Sequence, residues 1–541
     1  MKASVAGQRF DVVVIGSGAG GAPLAWRLAE AGVSVLLVER GRAMRREEFD
    51  RDELEWCRRD RFIPSVHTDP HTWRGSVAEA ARKTADGWTS TVLGGGTVHM
   101  AGYLLRADAT DAMQGTRCAH EPGSQALDWA VPFDDVARRY AEVERTLGVN
   151  GAPGSLDPPL VCHALADKLD RAARQLGIHS MPTPRGILTV ARPDDDRAAC
   201  DYLAQCAAFG CPTDARASMP STYLRQAQRT GRLTVWTESL CSRIDIAAGR
   251  AQAVVVTDRK LDRELRVPCG AVVVACGAVE TPRLLLLSGV AGRCVGKHLW
   301  FSLSAEVTGF FPREHHGDVA DLMAGSPFLN RTVHYGGHLS DAQAREAGVD
   351  RTGMFEASFA HDNPIRRAER VAFDRGDVVW GRALKRELVR VFTTGRTVIL
   401  EGFAESLPHA GSFVDLDPDV TDSSGLPVAR ITWSHHERDV RVTRAQAQEG
   451  VALLREMGAV DITVAHAPGE TTVLQGGTCR FGADPATSVV NPEGALHDVK
   501  NVFVADGSAL PSSLTVPPTL TIVANSLRVA EHVLRQVGSL G

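Results

Sequence analysis

Lysine is nearly absent: seven lysines, at positions 2, 83, 168, 260, 297, 385 and 500, stand against 53 arginines. Beside abundant Ala and Gly, this skew reads as a bias of the coding sequence and not as a binding surface. There is no surplus of positive charge either, because 60 Lys and Arg face 65 Asp and Glu for a net charge of −5. That balance excludes a broadly basic nucleic-acid binder and an extreme acidic tail. Long apolar runs are missing. The longest, at 272–276 and 284–287, fall far short of the ~20 residues that cross a bilayer, so no membrane span is expected. No stretch of roughly 7–15 apolar residues with a cleavage site precedes the first strand-like run, so no signal peptide is expected. Eleven scattered cysteines are an odd number, which fits free thiols better than a disulfide framework and places the chain in the cytoplasm. No repeat or low-complexity tract is visible.

What is present in excess is glycine, 51 of 541 residues, about 9% against a usual ~7%. The first cluster follows Asp11-Val-Val-Val-Ile15, a β-branched run that reads as a buried strand. Gly16-Ser-Gly18-Ala-Gly20-Gly21 comes next, then a helix over 22–31, Gly32 as its stop, and a second strand over 33–38 ending at Glu39. In this βαβ setting Gly16 permits the tight turn and Gly18 lets a pyrophosphate approach the backbone. Gly21 lets helix pack on strand, and Glu39 is placed for ribose hydroxyls. An acid in that place argues against a 2′-phosphate, leaving FAD or NAD.

The second cluster is Leu93-Gly94-Gly95-Gly96-Thr97-Val98-His99, suited to backbone passing close to a flat ligand or to a plain surface loop. A third segment is a buried strand through Ala275 that breaks at Gly277, before a helix expected to begin near Pro282. A fourth, Asn501-Val-Phe-Val-Ala-Asp506-Gly507-Ser508, precedes a helix expected over 520–535. Sheet elements at both ends of the chain imply a domain assembled from discontinuous pieces.

Taken in order, the fingerprint with Glu39, Gly94–Thr97, Gly277-Ala-Val-Glu-Thr-Pro282, Gly477-Thr-Cys-Arg480 and Val504-Ala-Asp-Gly-Ser508 with Pro518-Thr519-Leu-Thr521 strongly resemble the glucose–methanol–choline (GMC) family of FAD-dependent oxidoreductases. The resemblance runs from about residue 10 to 535 and is nearest the bacterial branch of gluconate, fructose and sorbitol dehydrogenases. It implies an α/β fold: a Rossmann-like FAD-binding domain from discontinuous segments, 1–302 and 468–541, and an α+β substrate domain, 303–467, with a mostly antiparallel sheet. Gly16, Gly18, Gly21, Glu39, Gly95, Gly96, Thr97, His99, Ala275, Gly277, Asp506, Gly507, Pro518 and Thr519 are the expected FAD contacts. His99 occupies the place where some members attach FAD covalently; it can equally be a packing or hydrogen-bonding residue.

Oxidising an alcohol with flavin moves a hydride from the CH–OH carbon to flavin N5 while a base takes the hydroxyl proton. In the family the base is a His in a His-x-x-Gly-Thr pattern, partnered by Asn or His at the head of an Asn-Pro-Thr-Leu-Thr-like pattern. Here the registers fixed by Gly477-Thr478 and Pro518-Thr519 put Leu474 and Pro517 at those positions, with Gln475 beside the first. Neither Leu nor Pro accepts a proton. Three readings stay open. One is oxidation of a polar alcohol (sugar, polyol, amino sugar or natural-product alcohol) with an atypical site, reoxidised by O2 or another electron acceptor. The second is non-dehydrogenase flavin chemistry of lyase or decarboxylase type, and the third a weakly catalytic flavin-binding protein. A pure NAD-binding module leaves 91–102 and 471–521 without purpose.

His435, His436 and His466 are further candidate bases, each equally readable as a solvated or structural histidine. Cys200, Cys206 and Cys211 lack the fourth, closely spaced ligand of a zinc or iron–sulfur site, so no metal is expected. An Arg-rich helix over 378–392, with Arg382, Lys385, Arg386 and Arg390, and Arg396 just beyond, reads as a solvated face or as a docking surface for an electron acceptor or a partner subunit.

Overall fold

The computed structural model describes residues 8–56, 61–85, 87, 89–203, 206–290, 292–319, 321–360, 364–374, 377–466 and 474–538. Its organising layer is a sheet in which the strand Phe10–Ile15 lies between Val35–Val38 and the C-terminal half of Arg263–Val274, all parallel. Leu233–Trp236 extends the sheet beyond Val35–Val38, and Val502–Val504 pairs with Val272–Val274, again parallel. These short runs are mostly Val, Leu and Ile because both faces of the sheet are covered; Val12, Val13, Val14, Leu36, Val272 and Val504 have no accessible surface. The N-terminal half of Arg263–Val274 continues into an antiparallel meander with Arg250–Asp258 and Ser239–Ala247.

Register decides what happens next. Ile15 pairs with both Val38 and Val274, and Val274 pairs with Val504. Four strand ends therefore stop at one level, and Gly16, Glu39, Ala275–Gly277 and Ala505–Gly507 emerge together at the carboxyl edge of the sheet, where ligands of open α/β sheets bind. The helix Gly21–Glu30 starts at that edge, one residue earlier than the pattern indicates.

A second sheet, antiparallel throughout, has the order Val460–His466, Ala305–Pro312, Gly395–Phe403, Met354–Phe359, Arg331–Val333, Ser180–Pro182. The last strand comes from sequence well before residue 303. Side chains alternate: Val307, Val398 and Leu400 bury against the helices Leu165–Gln175 and Glu437–Glu456, while Glu306, Ile399, Glu401 and Phe403 face the interior cavity described below. The fold is thus α/β with a largely antiparallel second sheet, as the sequence implies.

Two helices depart from expectation. The third motif's helix begins at Gly277, not near Pro282, and carries Pro282 inside it. Proline cannot donate to the carbonyl four residues back, so Ala278 O is free of that bond and instead accepts from Thr478 Oγ1 at 2.7 Å. The Arg-rich segment is not one helix over 378–392. Trp380 is extended and Gly381 has φ +65, so the helix is Gly381–Val389, followed by a wider turn Arg390–Thr394. Arg396 is not on its solvated face; it stacks 4.6 Å from the Phe359 ring and donates to Leu322 O.

Candidate active site

Between the carboxyl edge of the parallel sheet and the inner face of the antiparallel sheet lies a cavity of about 1030 Å³. Of the fourteen residues expected to contact FAD, all but Gly21 line it, and so do Leu474, Gln475 and Pro517. Gly21 stands behind the wall: a Cβ there would sit 1.9 Å from Gly16 O and 3.2 Å from Val14 Cγ1. Its task is to let helix meet strand.

FAD fits this lining by steric tests on its glycines. A Cβ on Gly16 would lie 2.3 Å from Ala275 O, and one on Gly20 2.7 Å from Asp506 Cα, so the turn is pressed against the neighbouring strand ends. A Cβ on Gly18 meets nothing within 4 Å. Packing inside the protein thus forbids side chains at Gly16, Gly20 and Gly21, while Gly18 is bare where the cavity needs backbone exposed. Gly95, at φ +57, comes close from the other side, its Cβ position 3.1 Å from Gly18 Cα.

The acids around this cradle are tied down. Glu39 is buried; its Oε2 accepts from Ser17 N at 3.2 Å and Ser17 Oγ at 2.5 Å, and its Oε1 from Gly41 N at 2.7 Å. Burial pushes its pKa up, and these hydrogen bonds pull the other way. Ser17 Oγ also accepts from Gly94 N, joining the first and second glycine clusters. Sequence reading passed over Ser17, although its place between two glycines of the turn was a signal. Asp506 accepts from Gly277 N at 2.7 Å, Thr281 Oγ1 at 2.5 Å, and both Ser508 N and Oγ; burial raises its pKa against those bonds. Burial alone would raise Glu280 too, yet Arg283, Arg40 and His71, with contacts of 3.0, 3.3 and 2.9 Å, hold it well below the usual carboxylate range.

His99 is buried, its Nε2 2.8 Å from Ser90 Oγ and its ring stacked 4.8 Å from Phe62. Thr97 Oγ1 donates to Gly94 O and accepts from Met219 N.

Leu474 has φ +60, and its carbonyl accepts from Ser302 N. Gln475 pairs with Phe301 in a short ladder and donates from Nε2 to Gly87 O at 2.6 Å. The segment then zips onto 507–509: Gly507 O, Ser508 O and Ala509 O accept from Gly477 N, Cys479 N and Phe481 N. Pro517, Pro518 and Thr519 bring the first turn of the helix Thr519–Gly538 to the same cavity. Of the candidate histidines, His435 and His436 do not join them. His436 caps the helix Glu437–Glu456, accepting from Arg438 N and contacting Pro122 O, and neither it nor His435 lines the cavity. His466 ends a strand beside Ala305. Residues 467–473, just before Leu474, lie outside the described residues. Cys206 touches the cavity; Cys200, Cys206 and Cys211 border a separate recess of about 40 Å³. Arg382, Lys385, Arg386 and Arg390 do not line the main cavity.

The inner sheet contributes residues that the sequence reading did not single out. Glu306 pairs with Glu401 and Glu401 with Glu356, a row of three glutamates across adjacent strands. Glu306 and Glu401 line the cavity, with Arg370 3.5 Å from Glu306. Glu356 is fully buried, held by Thr183 Oγ1 at 2.7 Å and Thr332 Oγ1 at 2.5 Å, and burial pushes it up to about 8. Tyr103, Arg185 and Asn330 complete this wall. Alternation of polar and apolar residues in 397–405 was the available signal for Glu401; nothing local marked the others.

Residues 72–302 and 408–526 match family profiles described as GMC oxidoreductase, and 11–48 match one described as FAD binding domain. Paromamine 6'-oxidase of Streptomyces fradiae is 30% identical, the match covering 97% of this chain and 91% of that one. The 2-methyl-1,2-propanediol dehydrogenase of Mycolicibacterium austroafricanum is 27% identical, covering 98% and 96%. Among solved structures, a formate oxidase superposes with a TM-score of 0.66 at 16% identity, covering 99% of this chain and all (100%) of that one, which speaks for the fold alone. Among the described residues, no helix is long and apolar enough to cross a membrane.

Proposed function

This chain belongs to the GMC oxidoreductase family of FAD-dependent enzymes, and from that premise we propose that it oxidises the CH–OH group of a polar small molecule through an atypical site. The observation that carries this reading is the convergence of four of the five ordered motifs on one cavity, with the remaining one, 477–480, following directly on the cavity residues Leu474 and Gln475, under a sheet face that carries Glu306 and Glu401. When bound, FAD supplies the acceptor for the carbinol hydride at N5. The stretches 1–302 and 468–541 hold the cofactor and 303–467 supplies most of the roof. Gly16 and Gly18 with the start of the helix Gly21–Glu30 receive the pyrophosphate, where free N–H groups and the helix dipole favour an anion. Glu39, oriented by Ser17 and Gly41, takes the ribose side.

At the reacting carbon, Gln475 is fixed through Nε2 by Gly87 O, which leaves Oε1 to accept a hydrogen bond from the substrate hydroxyl. Leu474 and Pro517 wall the chamber and exclude water without taking a proton. Absence of a general base at these positions costs about 10²–10⁴-fold in rate, acceptable for a slow enzyme. The hydroxyl proton leaves to a cavity carboxylate or to solvent. A second reading, lyase or decarboxylase chemistry on the same cofactor, is favoured by those same two apolar positions. Anaerobic mixing with sugars, polyols, amino sugars and aliphatic alcohols separates the two: flavin bleaching by an alcohol supports oxidation. Turnover only in light or with an α-hydroxynitrile, with no alcohol bleaching the flavin, supports the second. Readmitting air then reads whether O2 or another acceptor restores the colour.

A further inference from the structure

One outer face of the molecule is used by nothing described so far. Between the strands Met354–Phe359 and Gly395–Phe403 the chain leaves the roof sheet as a hairpin. It runs through the helix Pro364–Ala372, a ribbon in which Phe373–Asp374 pairs with Asp377–Val378, and the helix Gly381–Val389. From 364 to 394 no described residue is buried. The base of the hairpin is nonetheless fixed. Glu53 accepts from Ile365 N at 3.0 Å and from Arg366 N at 2.7 Å, and the Arg390 guanidinium carbon lies 4.4 Å from the centre of the Phe310 ring.

The ribbon presents apolar side chains to water. Among the described residues Trp380, 79% exposed, and Phe373, 64% exposed, are the two aromatic side chains most open to solvent, and Val378 is as exposed as Phe373. Phe373 and Val378 are cross-strand partners and share a face. Val379 N continues the pairing to Ala372 O, and alternation returns Trp380 to the side of Val378. Basic residues stand next to this tip. Arg382, Lys385 and Arg386, spaced i, i+3 and i+4, share one face of the second helix, all exposed and none in an ion pair among the described residues.

Charge and shape together say what such a face meets. Residues 364–390 hold eight Lys and Arg against four Asp and Glu, in a chain whose net charge is −5. The face therefore attracts an anionic partner and repels a second copy of itself. A folded partner needs a broad contact of about 800 Å² per side, whereas these apolar groups sit on a short ribbon between two helices that bury nothing. Exposed Trp and Phe flanked by Arg and Lys suit the boundary between headgroups and acyl chains of a bilayer. Such contact is peripheral and needs no spanning helix.

We propose that this face docks the enzyme on a lipid bilayer rich in anionic headgroups, Phe373, Val378 and Trp380 entering the acyl boundary and Arg382, Lys385 and Arg386 meeting the headgroup charge. Arg366 and Arg370 of the first helix line the cavity, so docking holds the cavity beside the headgroups. The docking does not depend on which reaction the flavin performs. Its test uses the full-length, flavin-loaded protein and vesicles of equal phosphatidylglycerol and phosphatidylcholine at low salt. Wild type is expected to sediment with these vesicles and to bind pure phosphatidylcholine vesicles at least about tenfold less tightly. Replacing Arg382, Lys385 and Arg386 together by Gln is expected to weaken binding to the anionic vesicles about a hundredfold, with flavin spectrum and Tm unchanged. Vesicles with brominated acyl chains are expected to quench part of the tryptophan emission of wild type, and that part is expected to be missing in Trp380→Phe. If the triple variant loses its flavin spectrum, the quenching comparison decides alone. Wild type that stays in the supernatant overturns the proposal and leaves the face to an acidic protein. Equal quenching in wild type and Trp380→Phe, or a folded triple variant that binds as wild type does, overturns it as well. A dimer in vesicle-free solution that Phe373→Ser with Trp380→Ser dissociates would give the face to a second copy instead.

Discussion

Two glycines of the first turn carry opposite demands. At Gly21 an added methyl collides with Gly16 O, whereas at Gly18 it enters open cavity. Gly21→Ala is therefore expected to destabilise the chain by about 1–3 kcal/mol even without cofactor, visible as a lowered Tm of the apoprotein. Gly18→Leu is expected to leave apoprotein Tm unchanged and to abolish the yellow colour, read as the ratio of flavin to protein absorbance; equal destabilisation by both would contradict the assignment. Leu474 poses a different question, because its φ of +60 suits leucine poorly and histidine better. Leu474→His is expected to speed anaerobic flavin reduction by an alcohol about tenfold or more at pH 8. The gain should vanish below about pH 6.5, where the imidazole carries its own proton. A rate equal to wild type at every pH would mean that residue 474 does not face the carbinol.

Among elements, the helix Gly277–Leu287 is the clearest case of a local rule broken and repaired at a distance. Pro282 leaves Ala278 O without its helical donor, and Thr478, two hundred residues on, supplies one. Thr478→Val is expected to cost about 1–3 kcal/mol, and Pro282→Ala in that background to recover part of it by restoring the helical N–H. Additivity of the two changes within ~0.5 kcal/mol in chemical denaturation would refute the coupling. In the roof, Glu356 has a carboxyl raised to about 8 by burial. A raised carboxyl contributes stability that is complete below its ordinary range near 4.5 and is lost as pH rises through about 8. Wild type is therefore expected to lose more Tm than Glu356→Gln between pH 5 and 9, by ~2 °C or more; parallel Tm curves for the two would contradict this.

The same contrast marks what could be read from the chain alone. Strands such as Phe10–Ile15 and Val502–Val504 announce themselves by short Val-rich runs, and the turn after the first by glycines that close packing (Gly16, Gly20, Gly21) or an open cavity (Gly18) requires. Arg185, Asn330 and Glu356 gave no such notice. Arg185 and Asn330 come from a bridge and a strand end, Glu356 from the middle of a strand; antiparallel pairing brings those segments to one wall, and a lone Arg or Asn in a short segment has no periodicity to betray its orientation. The Arg-rich segment misled because charge pattern says nothing of Trp380 and Gly381 breaking the helix.

For the whole molecule, convergence at one sheet edge links folding to the cofactor. Four strand ends, Gly95–Thr97 with His99, and Leu474 with Gln475 enclose one cavity, so FAD binding is expected to stabilise both sheets at once. At a hundredfold excess over Kd, added FAD is expected to stabilise the apoprotein by about 2.7 kcal/mol, raising Tm with ligand concentration. A Tm insensitive to FAD would place the cofactor elsewhere. The most direct test of the chemistry is anaerobic stopped-flow reduction of the bound flavin by a polyol such as sorbitol, with hydrogen or with deuterium on the carbinol carbons. The expected result is a bleaching that is saturable and distinctly slower with deuterium, because C–H cleavage delivers the electrons. Flavin that stays yellow with every alcohol, or bleaches at the same rate with both isotopes, would contradict it.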